Sequence, residues 1–221
     1  MPLRDFHGKV VVVTGAAGGL GRALCFRFGA AGSRIVALDR DAASLTGLLA
    51  DLQEAGLTAT TEVCDLSREE DCGRAIAATI QAFGGIDVLV NNAGITHRSA
   101  FARTQPEVIR RVMAVNFLGA MQCTHAALEA LLARRGMIVV ISSVAGFAPL
   151  IARTGYAASK HALHGFFDSL RTEVDPHCVK VLLVCPSFIE TGIDKNGMAG
   201  DGNLASHPQS VVGTHESRRA R

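Results

Sequence analysis

A tyrosine and a lysine stand four residues apart in the segment Tyr156-Ala-Ala-Ser-Lys160. Residues at this spacing share one face of a helix, and the segment opens a helical pattern that continues to about Val174. An ammonium group beside a phenol favours the phenolate. We therefore expect the pKa of Tyr156 to lie below its usual value of about 10, so that the phenol exchanges protons near neutral pH. Taken alone, the spacing also fits the solvated face of a surface helix.

A glycine-rich turn near the N-terminus is the second group of residues suited to chemistry. Residues 10–13 are four consecutive valines, and such an unbroken β-branched run indicates a parallel strand covered on both faces. Gly15 ends this strand, glycines at 18, 19 and 21 permit a tight turn, and a helical pattern covers residues 22–31. The free N–H groups of the first helical turn could hold a pyrophosphate, although an ordinary strand-to-helix turn fits the same residues.

Two carboxylates follow predicted strands. The segment Arg34–Asp39 reads as a strand that ends in Asp39, which could accept hydrogen bonds from ribose hydroxyls and repel the extra phosphate of NADP. Arg40 could pair with that phosphate, or the two side chains could form a solvated loop ion pair. Asp65 follows a strand over residues 58–64 and either contacts the adenine or caps a turn. These residues favour NAD over NADP.

The elements that must position these groups alternate along the chain. Helical patterns at residues 41–55 and up to Phe83 separate the strands named above from a strand at residues 88–90. A long helix through Arg134 leads to the strands Met137–Ile141 and 179–184. Two capping boxes, Ser67 with Glu70 and Thr104 with Glu107, are predicted to start helices. Strands alternating with helices imply right-handed crossovers and a parallel sheet with helices on both faces.

Several amides and small residues follow the strand at 88–90. Asn91 and Asn92 can tie neighbouring loops together, while Ala93 and Gly94 leave room for a cofactor ring. Asn116 stands among apolar residues of the long helix. Its amide is predicted either to make a local bond or to hold a water in a break of that helix.

Taken together, these motifs resemble the short-chain dehydrogenase/reductase family. Residues 14–21 (TGAAGGLG) match the family's TGxxxGxG, and NNAG stands at 91–94. Asn116 follows, Ser143 precedes Tyr156 by thirteen positions, and the Tyr-x-x-x-Lys motif ends at Lys160. The resemblance covers about residues 10–191. It implies an α/β, single-domain fold with a Rossmann-type doubly wound parallel sheet.

The resemblance also implies a catalytic tetrad of Asn116, Ser143, Tyr156 and Lys160. Tyr156 would pass a proton to or from the substrate oxygen while a hydride moves between carbon and nicotinamide, and Ser143 would hydrogen-bond the same oxygen. Lys160 would also bind the nicotinamide ribose, and Asn116 would hold a water that relays protons. The expected substrate is a small-molecule alcohol or ketone. The residues expected to bind the cofactor are Gly15, Gly19, Leu20, Gly21, Asp39, Arg40, Asp65, Leu66, Asn92, Ala93, Gly94, Tyr156, Lys160, Pro186, Ile189 and Thr191.

The C-terminal part departs from the family pattern. Pro186-Ser187 replaces a proline-glycine pair, which raises the question whether the loop needs a positive φ there. The expected division is a dinucleotide-binding and catalytic domain over residues 1–191, then an irregular substrate-loop remnant and basic tail over 192–221. The last strand of the family is expected to be missing. An alternative function is therefore a dinucleotide-binding regulatory or inactive protein that has lost turnover.

Composition limits the remaining classes of function. The net charge is +2 and no apolar run approaches membrane length, so we expect no nucleic-acid or membrane partner. Six cysteines without a CxxC pair are interpreted as reduced, mostly buried thiols of a cytoplasmic protein. The resemblance implies a homodimer formed through the helices bearing Asn116 and Tyr156, or the tetramer that family members frequently form.

Four polar residues remain to be assigned. His161 and His164 share a helix face without further ligands at metal spacing, so we expect surface or subunit contacts and no metal site. His97 and Arg153 are predicted to lie in loops near the site. Solvation is expected for both, with substrate contact as the alternative.

Overall fold

The fold is a six-stranded, all-parallel sheet covered by helices. The structure is a computed structural model that describes residues 5–187, 193 and 196–205. The spatial strand order is β3-β2-β1-β4-β5-β6. In chain order, the strands are β1 (Val10–Thr14), β2 (Arg34–Asp39), β3 (Ala59–Val63), β4 (Val88–Asn91), β5 (Met137–Ile141) and β6 (Lys180–Val184).

Within the described residues, six α-helices connect the strands and form the outer layers. They are α1 (Gly19–Ala30), α2 (Ala42–Glu54), α3 (Glu69–Phe83), α4 (Pro106–Met113), α5 (Gly119–Arg134) and α6 (Thr154–Val174). The valines of β1 alternate between two hydrophobic clusters, with Val10 and Val12 in one and Val11 and Val13 in the other. Both faces of the sheet are therefore buried, as the unbroken valine run predicts.

The order of the strands creates a crevice beside β1. The chain leaves β1 toward β2 on one side, and β4 later pairs with β1 on the other side, with Val11 opposite Val88. Ligands of open parallel sheets bind where the strand order reverses, beyond the carboxyl ends of the strands. The fold thus places the glycine loop after β1 and the polar residues after β4 at one crevice.

The predicted bounds of β2 and β5 agree with the structure, but both predicted capping boxes are wrong. Helix α3 begins at Glu69 with no side-chain cap, because Ser67 instead donates its hydroxyl to Asp65 over 2.7 Å. Thr104 likewise bonds Ser99 and the Ala100 carbonyl, and no side chain caps α4. Local side-chain bonds compete with helix capping at both sites.

Two helices also differ from their predicted bounds. Helix α1 begins at Gly19, three residues before the predicted start. Gly19 and Gly21 of the glycine loop therefore belong to the first turn of this helix. The predicted long helix through Arg134 is divided into α4 and α5 by a π-helical segment, Ala114–Leu118. Asn116 lies in this segment, which is the helix break that its sequence position suggested.

Among the described residues, strand β6 forms one edge of the sheet and β3 the other. The predicted lack of a further strand concerns in part residues outside the described ranges. Residues 196–205 lie against the loop after β4: the Arg98 N–H donates to the Met198 carbonyl and the Met198 N–H to the Thr96 carbonyl. Every helix of the described ranges is too short or too polar to cross a bilayer.

Candidate active site

A cavity of about 450 Å³ lies beyond the carboxyl ends of β1, β2, β4 and β5. Most of the residues predicted for the site line this cavity, but Asn116 is not among them. Predicted residues Ile189 and Thr191 lie outside the described residues. The predicted residues that line it are Gly15, Gly19, Leu20, Gly21, Asp39, Arg40, Asp65, Leu66, Asn92, Ala93, Gly94, Ser143, Tyr156, Lys160 and Pro186.

Sequence reasoning missed other lining residues. They are Ala17, Asp41, Ser44, Cys64, Ile95, Val115, Ile141, Ser142, Ser187, Ile193 and Asn196, while Gly18 of the predicted glycine turn also lines the cavity. Ile141 and Ser142 end β5, so their position at a carboxyl strand end was a usable signal. Ile193 and Asn196 belong to the segment predicted to be a substrate-loop remnant, although no motif singles out either residue. Ser187 has no positive φ, so replacing a family glycine causes no backbone strain there.

The glycine loop brings backbone against the cavity. Gly15 has φ of 62°, and a Cβ on Gly21 would lie 2.1 Å from the Gly15 carbonyl oxygen. Helix α1 has no side-chain cap and no acidic residue in its first turn. The Arg22 N–H donates to the Gly18 carbonyl and the Gly18 N–H to the Gly15 carbonyl, so the N–H groups of residues 19–21 are the ones left to bind an anion.

Acidic residues occupy the wall near β2 and β3. The Asp39 carboxylate accepts the Ala17 N–H at 3.1 Å, which fixes the carboxylate beside the glycine loop. Asp65 accepts both the N–H and the hydroxyl of Ser67, so it caps the turn while also lining the cavity. Burial acts to raise the pKa of Asp65, but these bonds and the charge of Arg40 outweigh it and lower the pKa.

The two asparagines after β4 tie neighbouring elements together, as predicted. The Asn92 side-chain amide donates to the carbonyls of Thr14 and Gly15, and the Asn92 N–H donates to the Thr14 hydroxyl. Asn91 donates to Thr124 on α5 at 2.8 Å. These bonds hold the β1 and β4 loops together at the switch point of the sheet.

Tyr156 and Lys160 share a face of α6, as their spacing predicts. The Lys160 ammonium lies 5.6 Å from the centre of the Tyr156 ring. The lysine side chain is buried and donates to the Ile141 carbonyl at 2.8 Å. Burial lowers the pKa of Lys160 from 10.5 to about 8, an effect that nearby Cys185 opposes. At neutral pH the ammonium form still dominates beside the phenol.

Ser143 and Asn116 have different environments. Ser143 lines the cavity, and its hydroxyl oxygen accepts the Ala145 N–H at 3.1 Å, which orients the group. Asn116 is buried and bonded on both sides: its oxygen accepts the Ile95 N–H, and its amide donates to the Ile95 carbonyl and to Ser159. Asn116 therefore links the loop after β4 to α6. Its role in holding a water stays a prediction.

The prediction that His97 and Arg153 are solvated is wrong. His97 has 0% exposure and Arg153 has 6%. Arg153 donates to the Thr96 hydroxyl at 2.8 Å, and His97 accepts the Gly155 N–H at 3.0 Å. Both side chains are buried where the loop after β4 packs against the start of α6.

The remaining histidines and the cysteines have ordinary surroundings. His161 is exposed, and His164 lies 3.6 Å from the Cys185 sulfur. All six cysteines are free, and four of them are buried. The part of the chain that the structure describes contains no group of three His, Cys, Asp or Glu side chains suited to a metal ion.

Comparison with known proteins identifies the family. The model of the short chain dehydrogenase family matches residues 9–201. Dehydrogenase/reductase SDR family member 7B of Bos taurus is 42% identical over 204 residues, which are 89% of this chain and 63% of the relative. The chain therefore spans less than two thirds of the length of this curated relative.

Solved structures share the fold. A metagenomic short-chain oxidoreductase in complex with NADP is 34% identical, with a TM-score of 0.80 over 84% of this chain and 85% of that one. A short-chain dehydrogenase/reductase from Burkholderia phymatum in complex with NAD is 26% identical, with a TM-score of 0.85 over 97% of this chain and 76% of that one. The chain belongs to the short-chain dehydrogenase/reductase family of NAD(P)-dependent oxidoreductases.

Proposed function

We propose that this protein transfers a hydride between a nicotinamide dinucleotide and an alcohol or carbonyl substrate. The observation that carries the proposal is one cavity lined both by the free N–H groups of α1 and by Tyr156 with Lys160. The strand order places Asp39 and Asp65 toward one side of this cavity and the α6 residues toward the other. An elongated dinucleotide suits that arrangement.

The described residues fit such a cofactor. The first turn of α1 offers N–H donors for the pyrophosphate. The space beside Gly18 is open to it, because a Cβ on Gly18 would meet only the Gly15 oxygen, at 3.4 Å. Asp39 and Arg40 would contact the adenosine ribose, and Asp65 and Leu66 the adenine. Lys160 would bind the nicotinamide ribose. When bound, the nicotinamide supplies the hydride acceptor or donor.

The protein side of the reaction is proton transfer at the substrate oxygen. Tyr156 would give or take this proton, and Ser143 would donate a hydrogen bond to the same oxygen. The Lys160 ammonium would stabilise the phenolate that Tyr156 leaves after donating its proton. Asn116 would connect the site to solvent through a water.

We further propose NAD as the preferred cofactor, with NADP less favoured. The Asp39 carboxylate is fixed beside the glycine loop by the Ala17 N–H, where it would repel a 2′-phosphate. Exposed Arg40 on the same wall acts in the opposite direction. One related structure contains NADP and the other NAD, so the experiment must compare both cofactors.

The test is a screen of purified protein against small alcohols and ketones with each nicotinamide cofactor. Tyr156→Phe serves as the control, because it removes the hydroxyl that moves the proton and leaves the ring. Loss of two to four orders of magnitude in turnover, about 10²–10⁴-fold, is expected for this variant. Undiminished turnover by Tyr156→Phe would show that the proton donor lies elsewhere.

A second candidate is a dinucleotide-binding protein without turnover. The exposed apolar side chains of β6 favour this candidate. Leu182 of β6 is 49% exposed, and the same strand leads to Pro186 in the cavity wall, so one wall of the cavity continues from an uncovered strand. In the same screen, cofactor binding without oxidation or reduction of any substrate would support this candidate.

The proposal includes a homodimer, or a tetramer, in a reducing cytoplasmic setting. Free buried thiols suit a reducing compartment. The dimer would form through the outer faces of α5 and α6, as the family resemblance implies. No nucleic-acid or membrane partner is proposed.

A further inference from the structure

His97 is a buried histidine that the proposed reaction does not use. It follows β4 by six residues and has 0% exposure, so it does not reach the cavity surface. Its ring lies against the start of α6, where a Cβ on Gly155 would be 3.1 Å from the His97 Nε2 atom and 3.2 Å from Ile109 of α4. The close approach of His97 to α6 therefore depends on a glycine at position 155.

The His97 side chain caps the N-terminus of α6. The first N–H groups of a helix have no intrahelical acceptor, and α6 has no side-chain cap from its own first residues. The Gly155 N–H is one of these groups, and it donates to Nε2 of His97 at 3.0 Å. The residue that follows Gly155 is Tyr156. A side chain from 58 residues away thus completes the turn that carries the phenol.

This hydrogen bond fixes the chemical state of the imidazole. An Nε2 atom that accepts a hydrogen bond carries no proton, so the neutral ring has its proton on Nδ1. Nδ1 of His97 is buried without a hydrogen-bond partner among the described residues. Protonation would place a second N–H opposite the Gly155 N–H, and the two donors would repel each other.

His97 is also joined to the segment of residues 196–205. Its two neighbours in the chain pair with Met198, whose N–H donates to the Thr96 carbonyl and whose carbonyl accepts the Arg98 N–H. Met198 lies in a small apolar cluster with Val108 and Val112, against which Tyr156 packs. His97, the Met198 segment and the phenol therefore form one packed unit.

We propose that His97 is a positioning residue which, as a neutral imidazole, caps the first turn of α6 and holds Tyr156 in its working orientation. Only the expected effect of His97 on turnover rests on the proposed function of Tyr156. The geometric part, that the phenol's surroundings depend on the His97–Gly155 hydrogen bond, stands independently of any substrate.

The proposal has a pH dependence with a definite sign. Burial, followed by the charge of Arg153, lowers the pKa of His97 below 6.5. Arg153, the residue before α6, is the charged group that acts on the His97 ring. Met198, which pairs with His97, and Ile109 of α4, which lies near Gly155, contribute uncharged side chains. The neutral ring is therefore held at neutral pH, and the cap is lost only as the pH falls through the lowered pKa.

The sequence offers a specific probe, because Tyr156 is the only tyrosine of the chain. Protein labelled with ¹³C at the tyrosine Cζ atom gives one signal from this phenol. The signal is followed from about pH 7.5 to about pH 5, across the usual titration range of histidine. In the unsubstituted protein we expect one step with a midpoint below 6.5.

Three variants define the origin of this step. His97→Gln keeps an acceptor for the Gly155 N–H but cannot titrate, so its signal should stay at the neutral-pH position throughout. His97→Phe supplies an aromatic ring without a nitrogen acceptor, so its signal should resemble the acid form at every pH. His161→Gln, at an exposed histidine on the same helix, should retain the step.

Absence of the step in the unsubstituted protein, or the same step in His97→Gln, would overturn the proposal. A neutral-pH signal in His97→Phe that matches the unsubstituted protein would do so as well. If His97→Phe does not fold, the comparison of the unsubstituted protein with His97→Gln still decides. None of these signals requires cofactor or substrate, so failure of the proposed function would leave the result intact. With a substrate in hand, kcat should fall about ten-fold per pH unit below the midpoint in the unsubstituted protein and not in His97→Gln.

Discussion

Replacing Lys160 by methionine should stabilise the fold in a pH-dependent manner while removing function. Lys160 is 3% exposed, and burial lowers its pKa from 10.5 to about 8. A shift of this size means that the folded protein holds the proton less tightly than the unfolded chain, by about 3 kcal/mol. The buried ammonium is thus maintained at the expense of stability, as the proposed role of Lys160 beside the Tyr156 phenol would require.

The sign and the pH range follow from the lowered pKa. Between the folded value of about 8 and the unfolded value of 10.5, the unfolded chain binds more protons. The stability of the unsubstituted protein therefore rises with pH relative to Lys160→Met, and the penalty is complete only below about pH 8. Methionine also leaves the Ile141 carbonyl without its donor, which costs about 1–3 kcal/mol. That cost does not vary with pH, so the difference between two pH values isolates the lysine.

Urea unfolding of both proteins at about pH 7 and about pH 9.5 measures this difference. We expect the free energy of unfolding of Lys160→Met, relative to the unsubstituted protein, to decrease by about 2 kcal/mol between the two conditions. Lys180→Met is the matched control, because Lys180 is an exposed lysine paired with Asp175. Equal relative stabilities of Lys160→Met at both pH values would refute the assignment of a buried, destabilised ammonium.

Three further predictions test the cofactor site and the assembly. Asp39→Ala should narrow the preference for NAD over NADP in fluorescence titrations, because the carboxylate no longer repels the 2′-phosphate; equal affinity of the unsubstituted protein for both cofactors would contradict this role. Gly21→Ala should weaken binding of either cofactor at least ten-fold, because its Cβ would lie 2.1 Å from the Gly15 carbonyl oxygen and force the loop apart. Gly47→Ala is the control, since a Cβ there meets nothing within 4 Å. This variant should bind the cofactor as the unsubstituted protein does, and its free energy of unfolding should rise by about 0.5–1 kcal/mol. Light scattering should give the mass of a dimer, and a concentration-independent monomer would rule out pairing through α5 and α6.

Much of the fold is predictable because local pattern and tertiary environment agree. The valine run of β1 and the segments β2 and β5 are rich in β-branched residues and buried on both faces, so propensity and burial favour the same structure. The residues of the glycine loop, the NNAG segment and the Tyr-x-x-x-Lys pair come together because each follows a strand or begins a helix at the same edge of the sheet.

The errors arise where a local pattern has a competing partner. Ser67 and Thr104 have the spacing of capping boxes, but each finds a closer acceptor in its own loop. The π-helical segment around Asn116 is likewise unpredictable in type, because the bonds that stabilise it go to Ile95 and Ser159, distant in sequence. The burial of His97 depends on segments that no local pattern connects to it.

These non-local bonds explain why the site geometry resides in the fold rather than in any one motif. Helix α6 is attached at three points within its first two turns: the Gly155 N–H donates to His97, the Ser159 hydroxyl accepts from Asn116, and Lys160 donates to a carbonyl of β5. The partners are 58, 43 and 19 residues away in the chain and belong to three separate segments. The phenol lies between the first and second of these attachments. A change at any one of the three should therefore alter the orientation of the phenol, even though two of the partner side chains are buried away from the cavity, because a reactive group is held in place by the residues that fix its supporting helix.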